Sequence, residues 1–185
     1  MGKQDPVVKR VTTEGTTYAS FLDLIDLLFV KRFVDHGLSL QLVRKALDEA
    51  AEHLRTAHFA REIFFTDGRR IFLQMRGKAP NIMHLMSGGQ WAIASTITDL
   101  SEKIDFHEVT GYAARWYPNG KAGLVVIDPQ VSFGRPSIVG RGTATANIYD
   151  LYRGEQGEVD RVSKWMGIPK REVKAAVGFE LQLAA

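Results

Sequence analysis

The chain has 185 residues, no cysteine, a formal net charge of +3, 45% apolar residues and 24% charged ones. That length carries one large or two small cores, and the composition is that of an ordinary soluble globular chain. Without cysteine, disulfide frameworks, thiol catalysis and cysteine-ligated zinc are excluded. The small positive balance permits nucleic-acid binding without demanding it, so the placement of the positive charge decides.

No charged-then-apolar leader opens the chain, and the reading is cytoplasmic. The greasiest stretch, Leu22 to Val34, is cut by Asp23, Asp26, Lys31 and Arg32, which argues against a membrane span. Val7 to Thr12 reads as a short strand and Gly15 as the centre of a turn. Ser20 is placed as a helix N-cap, with Asp23 three residues on in a capping-box position. The helix that follows has apolar residues on more than one face. Its uncovered part is a candidate dimer surface. Gly37 ends it, and Ser39 caps a second helix built on Leu40, Val43, Ala46, Leu47, Ala50 and Leu54.

The period then changes. Glu62 to Thr66 and Arg69 to Met75 flank Asp67-Gly68, a two-residue hairpin signal. Gln90 to Glu102 reads as a helix, although Thr96 and Thr98 are β-branched. Ile104 to Glu108, Tyr112 to Tyr117 and Leu124 to Ile127 alternate as strands of a small antiparallel sheet. Phe133-Gly134-Arg135-Pro136 and Gly140-Arg141-Gly142-Thr143 read as a glycine-rich connector. Three short helices close the chain, at about Thr145 to Arg153, Glu158 to Trp165 and Pro169 to Leu181, with Gly154 and Gly167 as stops.

The last two of these have helix-turn-helix spacing. Val159 and Val162 are expected inside, and Ser163 is small enough for a close approach. Gly167 supplies the left-handed corner, Ile168 plugs the core, and Pro169 starts the second helix. Val173, Ala176 and Val177 then face inward. Lys170, Arg171 and Lys174 are left outward at the end that enters the major groove in this motif. A few lysines on an exposed helix are also what any solvated face carries, and such units often serve protein contacts instead. Trp165, just before the turn, is expected to pack the unit.

Other groupings are weaker. Asp105 and His107 could share a strand face as metal ligands, and with Glu108 they could form a small nuclease site. A polar strand edge is the plainer reading. Asp23 and Asp26 are either paired carboxylates or acids favoured by the helix dipole. Gly140-Arg141-Gly142 and Ser87-Gly88-Gly89 lack the flanking pattern of phosphate loops and read as turns. No cofactor or metal is expected.

Val126-Ile127-Asp128-Pro129, Val131-Ser132-Phe133-Gly134-Arg135-Pro136, Ile138, Gly140, Gly142-Thr143, Gly154-Glu155, Ile168, Val173, Ala176 and Glu180 together resemble the domain-of-unknown-function family 433. That family is similar to VapB-type antitoxins. The resemblance implies a homeodomain-like C-terminal domain and a PIN-like ribonuclease toxin as partner. It also implies a homodimer that binds its own promoter and has no catalytic residues of its own. The DNA contacts expected are Lys170, Arg171 and Lys174, with Arg135 and Arg141 flanking the connector, where they touch phosphate or as easily bond carbonyls of the connector itself. Tyr18, Ser20-Phe21, Leu24-Ile25, Gly37-Leu38-Ser39-Leu40 and Val43-Arg44 resemble the later part of a MerR-like domain, a wing strand and two helices. Too little chain precedes Val7 for that family's opening helix-turn-helix.

The expected class is α+β. Residues 1–60 form the partial MerR-like domain, 61–123 a hairpin, helix and small sheet, and 124–185 the antitoxin-family helix-turn-helix domain. A stand-alone dimeric transcription regulator is the alternative function.

Overall fold

A computed structural model describes residues 19–35, 37–54, 58, 99–100 and 102–184. The expected strand at Val7–Thr12, the Asp67-Gly68 hairpin and most of the Gln90–Glu102 helix lie outside them. The fold is α+β, with five named helices and two small antiparallel sheets among the described residues. None of those helices is long and apolar enough to cross a membrane. The chain divides into two units, 1–101 with 106–113, and 102–105 with 114–185.

In the first unit, α1 (Phe21–Asp35) starts on a reciprocal capping box. The Ser20 amide donates to Asp23 Oδ2 at 2.7 Å, and the Asp23 amide donates to Ser20 Oγ at 3.1 Å. Two orphan donors of the first turn are thus satisfied. Ile25, Phe29, Val30 and Phe33 are buried, with the Phe29 and Phe33 rings edge to face at 5.0 Å. Leu27 and Val34, on the candidate dimer surface, are exposed. At the C-terminus, Gly37 (φ 85°) donates to the Val34 carbonyl and Leu38 to that of Phe33. Ser39 Oγ then accepts from the Leu42 amide and starts α2 (Leu40–Leu54), which buries Val43, Ala46 and Leu47. Asp26, only 4% exposed, accepts from or shares a proton with His58 Nδ1 at 2.8 Å. The dipole explanation for the two acids therefore suffices for neither: Asp23 is a capping side chain and Asp26 has a histidine partner.

The second unit is built around the C-terminal helices. β1 (Ile104–Phe106) and β2 (Ala113–Trp116), which belong to it except for Phe106 and Ala113, form one two-stranded sheet. β3 (Val125–Val126) and β4 (Ser137–Ile138) form the other, with Val125 opposite Ile138 and Val126 opposite Ser137. A Trp116–Ile127 bridge joins β2 to the residue after β3. The stretch read from sequence as a connector is therefore partly sheet. Pairing β4 with β3 buries both partners and lets Val125 and Ile138 floor the helical core.

Onto that floor pack α3 (Thr145–Gly154), α4 (Val159–Met166) and α5 (Lys170–Leu183). One apolar cluster contains Val125, Ile138, Ile148, Val162, Ile168, Val173, Ala176, Val177 and Phe179. Each fully buried aliphatic side chain there contributes roughly 1.5–3 kcal/mol of transfer free energy. Thr145 Oγ1 donates to the Glu180 carboxylate, tying the start of α3 to the far end of α5.

One expectation about this unit holds and one needs correction. Gly154 is the last helical residue of α3, as its reading as a stop requires. The reversal falls on Gln156 (φ 56°) and Gly157 (φ 84°), where the Gly157 amide donates to the Tyr152 carbonyl at 2.9 Å. Trp165 does not pack the unit but stands 75% exposed. Val162 and Met166, four apart, occupy the inward stripe of α4, and Trp165 falls beside that stripe.

Candidate nucleic-acid interface

The corner between α4 and α5 is over-determined by local bonds. Gly167 sits at φ 64°, ψ 31°, and its amide donates to the Ser163 carbonyl. The Ile168 amide donates to the same carbonyl at 3.2 Å, while Ser163 Oγ donates to the Ile168 carbonyl at 2.6 Å. Ser163 was expected only to be small; its hydroxyl locks the corner. Pro169 (φ −58°, ψ 143°) is the N-cap rather than the first helical residue. Its carbonyl begins the ladder by accepting from the Glu172 amide at 2.9 Å and the Val173 amide at 3.3 Å.

Lys170, Arg171 and Lys174 are all exposed on the first turns of α5, as expected for an outward cationic face. Lys170 Nζ is not idle, since it holds Asp160 of α4 at 2.8 Å. Asp160 titrates below its ordinary value, first because of that hydrogen bond, with help from the charges of Lys170, Lys164 and Lys174. Lysines of both helices thus act electrostatically on one exposed carboxylate, with Lys170 bonded to it. Opposite charges near 3 Å in water stabilise each other weakly, so an anion of higher charge density can compete for this cluster.

Arg141, one of the two flanking cations, is engaged elsewhere. Its Nε donates to Glu172, which lies in the first turn of α5 and is only 7% exposed. The contact fixes the Gly140–Gly142 turn against the start of α5. Sequence reasoning missed this pair because Glu172 sits between basic residues and reads as part of a solvated face.

Arg135 remains exposed, next to a turn of unusual backbone. Ser132 (φ 49°), Phe133 (φ 57°) and Gly134 (φ 73°) are left-handed in succession. For the two non-glycine residues this is unfavourable by about 1–2 kcal/mol each. Bonds on both sides hold the turn. The Gly134 amide donates to the Val131 carbonyl at 3.0 Å, the Arg135 amide donates to that of Ser132 at 3.1 Å, and Ser132 Oγ donates to the Gly142 carbonyl. The outcome is a Phe133 ring 99% exposed.

Beneath this turn, Asp128 is buried and paired with Arg115, whose Nε donates to Oδ2 at 2.8 Å; the Gln130 amide donates to Oδ1 at 2.8 Å. The hydrogen bond to Asp128 raises the Arg115 pKa further. An open hollow of about 480 Å³, lined by Arg115, Tyr117, Val126, Asp128, Ile138 and Gly140 among others, lies alongside.

The nuclease alternative finds its residues otherwise occupied. Asp105 accepts from Tyr117 Oη and from Lys121 Nζ, both at 2.7 Å. Burial opposes its ionisation, but bonds from Lys121 and Tyr117 and the charges of Lys121 and Arg115 outweigh that and lower its pKa. Burial and the bond to Asp105 raise that of Tyr117. His107 Nδ1 accepts from the Val109 and Thr110 amides at 3.2 and 3.4 Å, closing a tight turn, and Glu108 is exposed. Among the described residues no group of three or more His, Asp or Glu is placed to hold a metal ion.

No protein-family model and no curated protein matches the chain. Among solved structures, the chain is similar to the crystal structure of Rv2018 from Mycobacterium tuberculosis. The TM-score is 0.69 at 17% identity, over 85% of this chain and 77% of that one. At that identity the likeness speaks for the fold alone.

Proposed function

We propose that this chain is a DNA-binding regulator of the antitoxin type. The observation that carries the reading is the α4–Gly167–α5 corner, which presents Lys170, Arg171 and Lys174 outward on the first turns of the second helix. A helix entering the major groove with its N-terminal turn needs that placement, because phosphate attraction supplies affinity and the same turn reaches base edges. The toxin half of the reading rests on the sequence resemblance. A PIN-like ribonuclease is the partner it implies, inhibited by direct contact, with a homodimer of this chain on its own promoter. Arg135 and Arg141 flank the helix in different ways, the first exposed, the second spent on positioning α5 through Glu172.

A mobility-shift titration at several salt concentrations, on DNA from upstream of the gene, tests the DNA half. The Lys170→Ala/Arg171→Ala/Lys174→Ala variant should bind about a hundredfold more weakly, and its salt slope should fall by roughly two to three. Equal affinity and slope for the two proteins would exclude α5 as the reading helix. Co-expression with the adjacent reading frame tests the toxin half. Copurification together with relief of that neighbour's toxicity is expected, whereas retained DNA binding with neither result would leave the stand-alone regulator.

A further inference from the structure

The Ser132–Gly134 turn is not explained by the fold it belongs to. Burial does not place Phe133, whose ring touches solvent almost everywhere. Backbone preference does not place it either, since two non-glycine residues in succession are left-handed. Yet the turn is bonded at both ends, so the ring projects from a fixed base.

Two observations bear on what the ring can meet. The first is position. Ser132 is hydrogen-bonded to Gly142, and the neighbouring Arg141 is bonded to Glu172 in the first turn of α5. The projecting turn is therefore two side-chain bonds away from the helix end that carries Lys170 and Arg171. The second is charge. From Pro129 to Tyr149 there is no acidic residue, and of the two arginines in that run Arg141 is paired with Glu172 while Arg135 is exposed. An apolar ring beside an exposed guanidinium, on an acid-free loop rich in glycine and serine, suits a polyanion that must be approached closely.

We propose that the Phe133–Arg135 turn is a second DNA contact, an apolar wedge with an adjacent cation that enters the minor groove next to the major groove read by α5. This rests on the proposed DNA-binding function and adds a second reading element to it. Phe133 partly separates a base step and kinks the duplex, and Arg135 enters the narrowed groove beside it. Pre-setting the ring on a rigid turn removes the ordering cost that a flexible arm would carry on binding.

The test compares Phe133→Gly, Phe133→Leu and Arg135→Ala with the wild-type chain on the same upstream DNA, reading affinity, salt slope and bend angle by circular permutation. Phe133→Gly suits the left-handed backbone, so thermal melting should show an intact fold. We expect it to weaken binding about tenfold with an unchanged salt slope, and to lose most of a bend of roughly 20–90°. Phe133→Leu keeps a wedge and should keep the bend. Arg135→Ala should lower the salt slope by about one. If all three variants bind and bend as the wild type does, while the triple α5 variant loses binding, the wedge is wrong and the α5 reading stands. If Phe133→Gly binds and bends DNA normally but no longer copurifies with the adjacent gene product, the ring is a protein contact and the inference falls. If the wild-type chain binds no DNA from its own upstream region, both fall together.

Discussion

The chain turns from one helix into the next in the same way at two places 130 residues apart. Gly37-Leu38-Ser39-Leu40 joins α1 to α2, and Gly167-Ile168-Pro169-Lys170 joins α4 to α5. In each, a left-handed glycine is followed by an apolar residue whose amide reaches back five residues, to Phe33 at 3.2 Å and to Ser163 at 3.2 Å. The inward positions also correspond, with Val43, Ala46 and Leu47 buried in the one helix and Val173, Ala176 and Val177 in the other. The differences lie on the outside and at the cap. Ser39 caps with its hydroxyl, whereas Pro169 has no side-chain bond to give. The rear corner makes up the deficit with Ser163 Oγ and with a deeper plug, since Ile168 is buried and Leu38 only half so. Where α2 opens with Leu40-Gln41-Leu42, α5 opens with Lys170-Arg171-Glu172. The shared backbone is a way of packing two helices; the charge on the second helix's first turn is what distinguishes a candidate reading helix from a structural one.

The largest expected effect breaks the rear corner at its plug. Ile168→Ala should lower stability by about 2–4 kcal/mol in urea unfolding, with Leu38→Ala, half-buried, losing clearly less. Equal losses would mean that the two corners bear on their cores alike. Next comes the carboxylate that has no counterpart in α2, where Leu42 stands at the matching place. Arg141→Met leaves Glu172 buried without its cation and should lose about 1–3 kcal/mol, the lower end applying if water reaches the partly exposed side of the pair. Adding Glu172→Leu, which copies Leu42, should restore most of that loss. A double variant as unstable as the single one would show that Arg141 acts through its own packing instead.

Much of this architecture is legible in the sequence. The Ser20–Asp23 capping box, the glycines at 37 and 167 and the inward positions of α2 and α5 follow from local chemistry and from a 3.6-residue period. What is not legible depends on partners distant in the chain. Nothing in Ser137-Ile138 announces a strand until Val125-Val126 is beside it, because two-residue ladders have no period to detect. Asp26 with His58, Arg115 with Asp128 and Arg141 with Glu172 are separated by 32, 13 and 31 residues, and each involves a charge that reads as surface when taken alone. The site was half visible for the same reason. The outward lysines of α5 follow from periodicity. The role of Arg141 follows only from its bond to Glu172, and the projection of Phe133 only from the bonds that fold residues 131–142 back on themselves.

A smaller effect separates the two glycines from their neighbours. Gly37→Ala and Gly167→Ala each place a Cβ in the left-handed region with open space around it, so the change is conformational and not steric. Each should lose about 1 kcal/mol, and the two should match. A much larger loss at Gly167 would overturn that match and show that the rear corner tolerates no adjustment of its backbone angle.

The smallest effect on stability, but an informative one for function, is at Asp160. Its carboxylate holds Lys170 and feels the charges of Lys164 and Lys174. Because its folded pKa is lowered, the pair is fully formed above the ordinary carboxylate range and is lost as pH falls through the folded value. At neutral pH, Asp160→Asn removes the competing anion. The pair is exposed, so melting at neutral pH should stay close to wild type, and only the acid limb of the stability profile should flatten slightly. DNA affinity should rise several-fold, with a steeper salt dependence, since Lys170 no longer has to leave a protein carboxylate before it meets a phosphate. Unchanged affinity would mean that Lys170 stays on the α4 side in the complex. Arg171 and Lys174 would then carry the phosphate contacts, and the resemblance between the two corners would extend one residue further than their charges suggest.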